Sequence, residues 1–134
     1  MNRRAIATFC AVPTALFLLV IGILHSVVNV SGMTRAIERG DIPARLGRSF
    51  IANAAYSGVA MSILGLLLIL VLPGLRAGSR EARRVAAAIG IFVGAVGGVG
   101  YLWSPSQPAV LIFLLFGALL AAPLLIWRRE FSNV

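Results

Sequence analysis

Long stretches without a charged residue constrain the fold of this sequence more than any other feature. Residues 5–34, 49–75 and 85–127 contain no Asp, Glu, Lys or Arg. A helix that crosses a membrane needs about 20 mostly apolar residues, so each of the first two stretches accommodates one helix. The third is 43 residues long and is interrupted at 104–108 by two prolines, which end a helix. We therefore predict four membrane-spanning helices, at about 5–29, 49–72, 84–103 and 109–127.

The composition is typical of a protein that exposes its surface to lipid. The 134-residue chain is 60% hydrophobic and only 12% charged, with a mean hydropathy of +0.98. Soluble domains carry about 25% charged residues. We therefore expect an all-α polytopic membrane protein, with residues 1–134 forming one four-transmembrane-helix bundle surrounded by membrane lipids.

The basic residues predict topology and not nucleic-acid binding. All twelve are arginine, and the richness in Arg, Ala, Gly and Val favours a GC-rich bacterial source. The formal net charge is +8, but the arginines flank apolar stretches and form no basic domain, so we expect no nucleic-acid partner. Eight of them fall on the side of the two termini and four on the other side. This bias predicts a multi-pass inner-membrane protein with both termini in the cytoplasm.

The four arginines that oppose this bias lie between the first two spans, at Arg35, Arg39, Arg45 and Arg48. Apolar side chains at Met33, Ala36 and Ile37 alternate there with charged ones, which predicts a short extracytoplasmic amphipathic segment. Asp41 is a predicted N-cap of the second helix, with Pro43 in its first turn.

The best candidate site is a polar layer at the end of the first span and the start of the second. His25 and Asn29 lie one turn apart on the first helix. On the second helix, one polar face carries Arg45, Ser49, Asn53 and Tyr56. We predict that His25 is the candidate catalytic residue and that the other five bind a ligand, because polar groups within spans are candidates for function. The alternative is a cluster of hydrogen bonds that only joins the helices.

Small residues predict where the helices pack. Ala86, Gly90, Gly94 and Gly98 follow one another at four-residue steps on the third span. Removing side chains lets helix backbones approach closely, within the bundle or in a homo-oligomer. A lesser stripe on the second span, Ala54, Gly58 and Ser62, is a candidate partner for the third span. Pro13 and Pro123 predict kinks in the first and fourth helices.

The sequence contains no strong catalytic, cofactor or metal motif. Cys10 is the only cysteine, so we expect no disulfide within the chain, no metal site and no cofactor. The favoured function is a non-enzymatic accessory or assembly subunit, or a lipid- or amphiphile-binding module, with a homo-oligomer or another membrane subunit as a candidate partner.

Two other functions remain open at this point. The first is a small intramembrane isomerase or cyclase for a hydrophobic substrate, with His25 as general acid and base. The second is an oligomeric transporter of a small amphiphile. No acidic residue falls within the predicted spans, which disfavours proton-coupled transport.

Overall fold

A computed structural model describes residues 3–107 and 110–131, so Pro108 of the predicted helix break and Ala109, the first residue of the predicted fourth span, lie outside the described residues. Four α-helices and one short 3₁₀ helix make up the described part, which contains no strand. The predicted all-α class is thus confirmed. The helices are α1 (Arg3–Glu38), α2 (Ala44–Ala77), α3 (Arg80–Trp103) and α4 (Val110–Ile126), followed by the 3₁₀ turn Arg128–Glu130.

Three of these helices are long and apolar enough to cross a membrane. They are α1, α2 and α3, with 36, 34 and 24 residues. At 1.5 Å per residue, α1 and α2 are each roughly 50 Å long, which exceeds the roughly 30 Å of a bilayer core. The fourth helix is apolar but has 17 residues. The chain therefore has the helices of a membrane-embedded protein.

A glycine ends α1 and sets the turn into α2. Gly40 adopts a φ of +77°, and the next residue, Asp41, donates its backbone N–H to the Ala36 carbonyl at 3.0 Å. This pattern is a Schellman motif, in which glycine accepts the left-handed conformation at no steric cost. The predicted amphipathic segment is therefore the last part of α1 and not an element of its own.

The start of α2 differs from the prediction. The helix begins at Ala44, and the Pro43 carbonyl accepts the backbone N–H of Leu46 and of Gly47 at 3.0 Å. The Asp41 carboxylate instead pairs with Arg39 at 3.0 Å. Asp41 is already used to close the end of α1, so it lies too far upstream to cap α2.

The turn between α2 and α3 uses the same device in fewer residues. Gly78 has a φ of +82°, and the backbone N–H of Ser79 donates to the Gly74 carbonyl at 2.8 Å. The Ser79 hydroxyl then accepts the N–H of Ala82 at 3.3 Å. One residue therefore closes α2 with its backbone and N-caps α3 with its side chain.

The helices divide into two compact units. Unit 1 comprises Met1–Ala15 and Leu67–Val134, and unit 2 comprises Leu16–Leu66.

Unit 1 contains the packing of α3 against α4. A Cβ added to Gly90 would lie 2.9 Å from the backbone N of Ala121, and one added to Gly97 would lie 3.0 Å from the Cα of Leu114. On α4, a Cβ added to Gly117 would meet the α3 backbone as closely. The two backbones therefore approach at a seam of glycines, which increases the dispersion contact that drives helix association in lipid.

The stripe on α3 departs from the predicted one at its last member. Ala86 and Gly90 are buried, and a Cβ added to Gly94 would be in ordinary van der Waals contact with Gly117 of α4, at 3.7 Å from its Cα. An added Cβ at Gly98 would have no atom within 4 Å, and Gly97 takes its place at the seam. A step of four residues advances about 40° beyond one turn, so three steps rotate Gly98 about 120° away from Ala86, whereas Gly97 is rotated by only about 20°.

Unit 2 contains a second glycine contact, between α1 and α2. A Cβ added to Gly22 would lie 2.5 Å from the Gly58 carbonyl oxygen and 2.7 Å from the Ser62 backbone N. The stripe on the second helix, which we expected against the third span, thus meets the first helix at Gly58 and Ser62. Ser26 extends the contact, since its hydroxyl reaches the Ala55 carbonyl at 3.5 Å.

Candidate functional site

A groove of about 190 Å³ lies between α1 and α2 in unit 2. We call it the His25 groove. The helix α1 contributes three side chains at four-residue spacing, and α2 contributes four from one face. The lining residues are His25, Asn29, Met33, Phe50, Asn53, Ala54 and Ser57. Two of the predicted site residues on α1 and one on α2 are therefore brought together.

The glycine contact positions this groove. His25 follows Gly22 by three residues on α1, and Ser57 immediately precedes Gly58 on α2. The helices are close at the glycines, and the residues that line the groove flank this contact in sequence. The groove is thus the space that opens beside a close helix crossing.

The polar groups of the groove use their own helices for hydrogen bonds. The Asn29 amide donates to the His25 carbonyl at 2.7 Å, and the Ser57 hydroxyl donates to the Ala54 carbonyl at 3.1 Å. Within residues 3–107 and 110–131, no hydrogen bond joins His25 or Asn53 to the facing helix. The imidazole and the Asn53 amide therefore keep their hydrogen-bonding capacity for a molecule in the groove.

Three predicted site residues lie outside the groove. Tyr56 is 76% exposed, and Arg45 and Ser49 are exposed near the start of α2. The Ser49 hydroxyl donates to the Arg45 carbonyl at 3.4 Å. The polar face of α2 is real, but it is rotated by roughly 100° from the residues that line the groove. Only Asn53 belongs both to the polar face of α2 and to the residues that line the groove.

A second open cleft, of about 380 Å³, lies in unit 1. We call it the arginine cleft. Arg4, Ala5, Thr8, Phe9 and Val12 of α1 line it together with Arg76 of α2. Our sequence reasoning missed this site. The signal was present in the four-residue spacing of Arg4, Thr8 and Val12, which places a charge, a hydroxyl and an apolar group on one helix face.

The carboxyl-terminal end of unit 1 is held by arginines. Arg4 Nε donates to the Glu130 carbonyl, and Arg3 pairs with the Glu130 carboxylate at 3.6 Å. Arg83 donates from Nη1 to the Leu124 carbonyl at 3.3 Å. This carbonyl is one of the last four of α4, which lack partners inside the helix, so a cation there is favourable. These contacts are structural and place Arg4 at the edge of the cleft.

No group of three or more His, Cys, Asp and Glu side chains that could hold a metal ion occurs among the described residues. Comparison of the chain with protein-family models, with curated proteins and with solved structures found no significant match.

Proposed function

We propose that this protein is a non-enzymatic membrane module that binds a small amphiphile in the His25 groove. The observation that carries the proposal is the lining of the groove. His25 and Asn53 offer polar atoms that no other described side chain uses, and they lie beside the apolar Met33 and Phe50. A site with a few polar groups among apolar walls selects a ligand that has both characters.

The small groove and the exposed apolar side chains around it together support an amphiphile over a compact polar solute. Pockets that enclose drug-sized ligands have volumes of about 300–1,000 Å³, so a groove of about 190 Å³ holds one polar head or ring and leaves the rest of such a molecule outside. Apolar side chains of unit 2 are well exposed nearby in sequence, among them Val28 at 61% and Phe50 at 50%. The apolar part of the ligand would lie against such side chains and the lipid.

The same geometry gives less support to an acid–base enzyme. A catalytic imidazole is usually oriented by a carboxylate or another acceptor. None of the four acidic residues lines the groove, and Tyr56 is turned away from it. His25 is therefore assigned a binding role.

We further propose four crossings of a bacterial inner membrane, with both termini in the cytoplasm. Support comes from three helices of sufficient length, the apolar α4 and the excess of arginines on one side. Single cysteines at Ser106 and Arg80, in a Cys10→Ala background, test this with a membrane-impermeant maleimide. Ser106→Cys should react in intact cells and Arg80→Cys only after permeabilisation. The opposite pattern would refute the orientation.

Ligand binding is tested by titrating the purified protein, in an uncharged detergent, with a fluorescent fatty acid. Asn53→Leu should weaken binding about fivefold, the factor that corresponds to one hydrogen bond of about 1 kcal/mol. Tyr56→Leu is the matched control, because it changes a neighbouring polar residue of the same helix outside the groove. Equal affinities of these two variants would contradict the proposed site.

A further inference from the structure

The arginine cleft is the strongest unexplained feature of unit 1. It is twice as large as the His25 groove, at about 380 Å³ against about 190 Å³. Two arginines, Arg4 and Arg76, line it from different helices. The cleft shares no residue with the His25 groove, so its occupant is independent of the proposed function of that groove.

Arg4 is held in position. Its Nε donates to the Glu130 carbonyl, and its guanidinium lies over Gly78, where an added Cβ would come within 2.7 Å of Nη1. The missing side chain of Gly78 thus makes room for the Arg4 guanidinium. A guanidinium that is fixed before binding loses little conformational entropy when it meets an anion.

Arg76 has no hydrogen bond or ion pair among the described residues, and it is exposed. It belongs to the last turn of α2, where a cation is favourable. Its donors are therefore free to bind an external anion, and guanidinium groups match the oxygens of a phosphate in pairs.

Three of the other four residues that line the cleft are apolar. Phe9 is 70% exposed, and Ala5 and Val12 lie on the same helix. The Thr8 hydroxyl is 2.9 Å from the Arg4 carbonyl, to which it donates, so it adds no free donor. A cation pair beside an exposed aromatic wall suits an anionic head that carries a hydrocarbon chain.

The charge of unit 1 points to the same kind of occupant. Its sequence contains eight arginines and two glutamates. Both glutamates already pair with arginines, Glu81 with Arg84 and Glu130 with Arg3. The unit therefore presents excess positive charge at the ends of apolar helices, where the phosphates of anionic lipids lie.

We propose that the arginine cleft binds an anionic phospholipid, with its phosphate on Arg4 and Arg76 and an acyl chain along Phe9 and Val12. The site is more than a general attraction of arginines to a membrane. It has one positioned cation, one available cation and an apolar wall within a single concave surface.

The test uses the full chain in micelles of an uncharged detergent, titrated with phosphatidylglycerol and followed by native mass spectrometry. Arg76→Gln should weaken binding about fivefold, as expected for one basic residue at an anionic membrane surface. Arg80→Gln is the matched control, since it removes the same charge four residues away and outside the cleft. Equal losses in the two variants would overturn the proposal in favour of diffuse charge attraction.

Two further arms identify the occupant. Phe9→Ala leaves the charge unchanged and alters an exposed side chain, so the fold is retained. The variant should bind phosphatidylglycerol more weakly. Binding of phosphatidylcholine should be weak in every variant. Inorganic phosphate at millimolar concentration should not displace the lipid. Full displacement by phosphate, or unchanged binding in Phe9→Ala, would show a site for a free anion and overturn the lipid proposal. Asn53→Leu should leave this binding unchanged, which separates it from the His25 groove.

Discussion

Glycines bring two helices together in each unit, but the surroundings of the two contacts differ. In unit 2, Gly22 meets Gly58, and the hydroxyls of Ser26 and Ser62 lie at the contact. In unit 1, Gly117 of α4 meets α3, and the buried neighbours include Leu120, Leu124 and Val93. The first contact is lined by polar atoms and the second by aliphatic ones.

This difference indicates how one packing device serves two purposes. Removal of side chains lets backbones approach in both units. The buried side chains beside the α3–α4 seam include Val93, Leu120 and Leu124, which offer no polar atom to a ligand. The α1–α2 contact opens into the His25 groove, where polar groups remain available. The residues one turn away from the glycines, more than the glycines themselves, therefore determine whether a helix contact is only structural or also forms a binding site.

The largest expected effect is that of Gly117→Ala. The new Cβ would lie 2.5 Å from the Cα of Gly94 and 2.7 Å from the Gly90 carbonyl oxygen. Both are backbone atoms and cannot rotate away, so we expect a loss of about 3 kcal/mol in the free energy of unfolding. Thermal unfolding in detergent measures it. Gly98→Ala is the control, because open space surrounds that position and helix propensity favours Ala by up to about 1 kcal/mol. Similar free energies of unfolding for the two variants would contradict the close approach of α3 and α4 at Gly117.

Gly58→Ala should have a smaller effect on stability and a second effect on binding. Its Cβ would meet the Gly22 carbonyl oxygen at 2.5 Å and the Ser26 backbone N at 3.0 Å. We expect a loss of about 2 kcal/mol together with weaker fatty-acid binding, because the helices that form the groove must separate. Gly32→Ala, which meets nothing within 4 Å, should leave fatty-acid binding unchanged and should not lower stability, because helix propensity favours Ala there by up to about 1 kcal/mol. Unchanged fatty-acid binding in Gly58→Ala would show that the groove does not depend on the glycine contact between α1 and α2.

Ser79→Ala tests the stability of unit 1 without changing the glycine seam between α3 and α4. The variant loses the hydroxyl that accepts the N–H of Ala82 at the start of α3. We expect a loss of about 1 kcal/mol in the free energy of unfolding, as for other helix N-caps. Ser79→Asp should restore most of it, since Asp also caps helices. A failure of Asp to rescue would argue against a capping role, and fatty-acid binding should be the same in all three proteins.

The smallest expected effect is that of Ser26→Ala. Its hydroxyl is 3.5 Å from the Ala55 carbonyl, at the limit of a hydrogen bond. Hydrogen bonds between helices in membranes contribute about 0.6 kcal/mol on average, and we expect the loss here to be no larger. A loss of more than about 2 kcal/mol, measured by the same unfolding assay, would mean that hydroxyls and not glycines hold the α1–α2 contact.

Local chemistry made much of the helical structure predictable. The Ser-Pro pair at 104–105 ends α3 after Trp103, as the sequence predicted, because proline cannot continue a helix. Apolar runs located α2, α3 and α4 to within about five residues of their observed ends. At its ends, α1 extends from 3 to 38 beyond the predicted 5–29, since helix hydrogen bonds continue where the hydrophobic signal stops.

Contacts between distant residues were harder to predict. The spacing of His25, Asn29 and Asn53 led to their shared groove, but the same reasoning included Tyr56, because a polar face does not show which way a helix is turned. The partner of Gly58 also depends on the rotation of two helices, which a single stripe leaves open. Arg4 and Glu130 are 126 residues apart, and nothing local in either segment predicts their contact.

That separation along the chain has a consequence for biosynthesis. The α1–α2 contact of unit 2 needs only residues up to 66, so it can form while translation continues. The bond from Arg4 to Glu130 cannot form until residue 130 has left the ribosome. At about 5–20 residues per second, the amino-terminal turn waits roughly 6–25 s for its partner. Throughout that interval, the Arg4 guanidinium meets the newly inserted helices and the surrounding lipids before it meets the carboxyl-terminal segment.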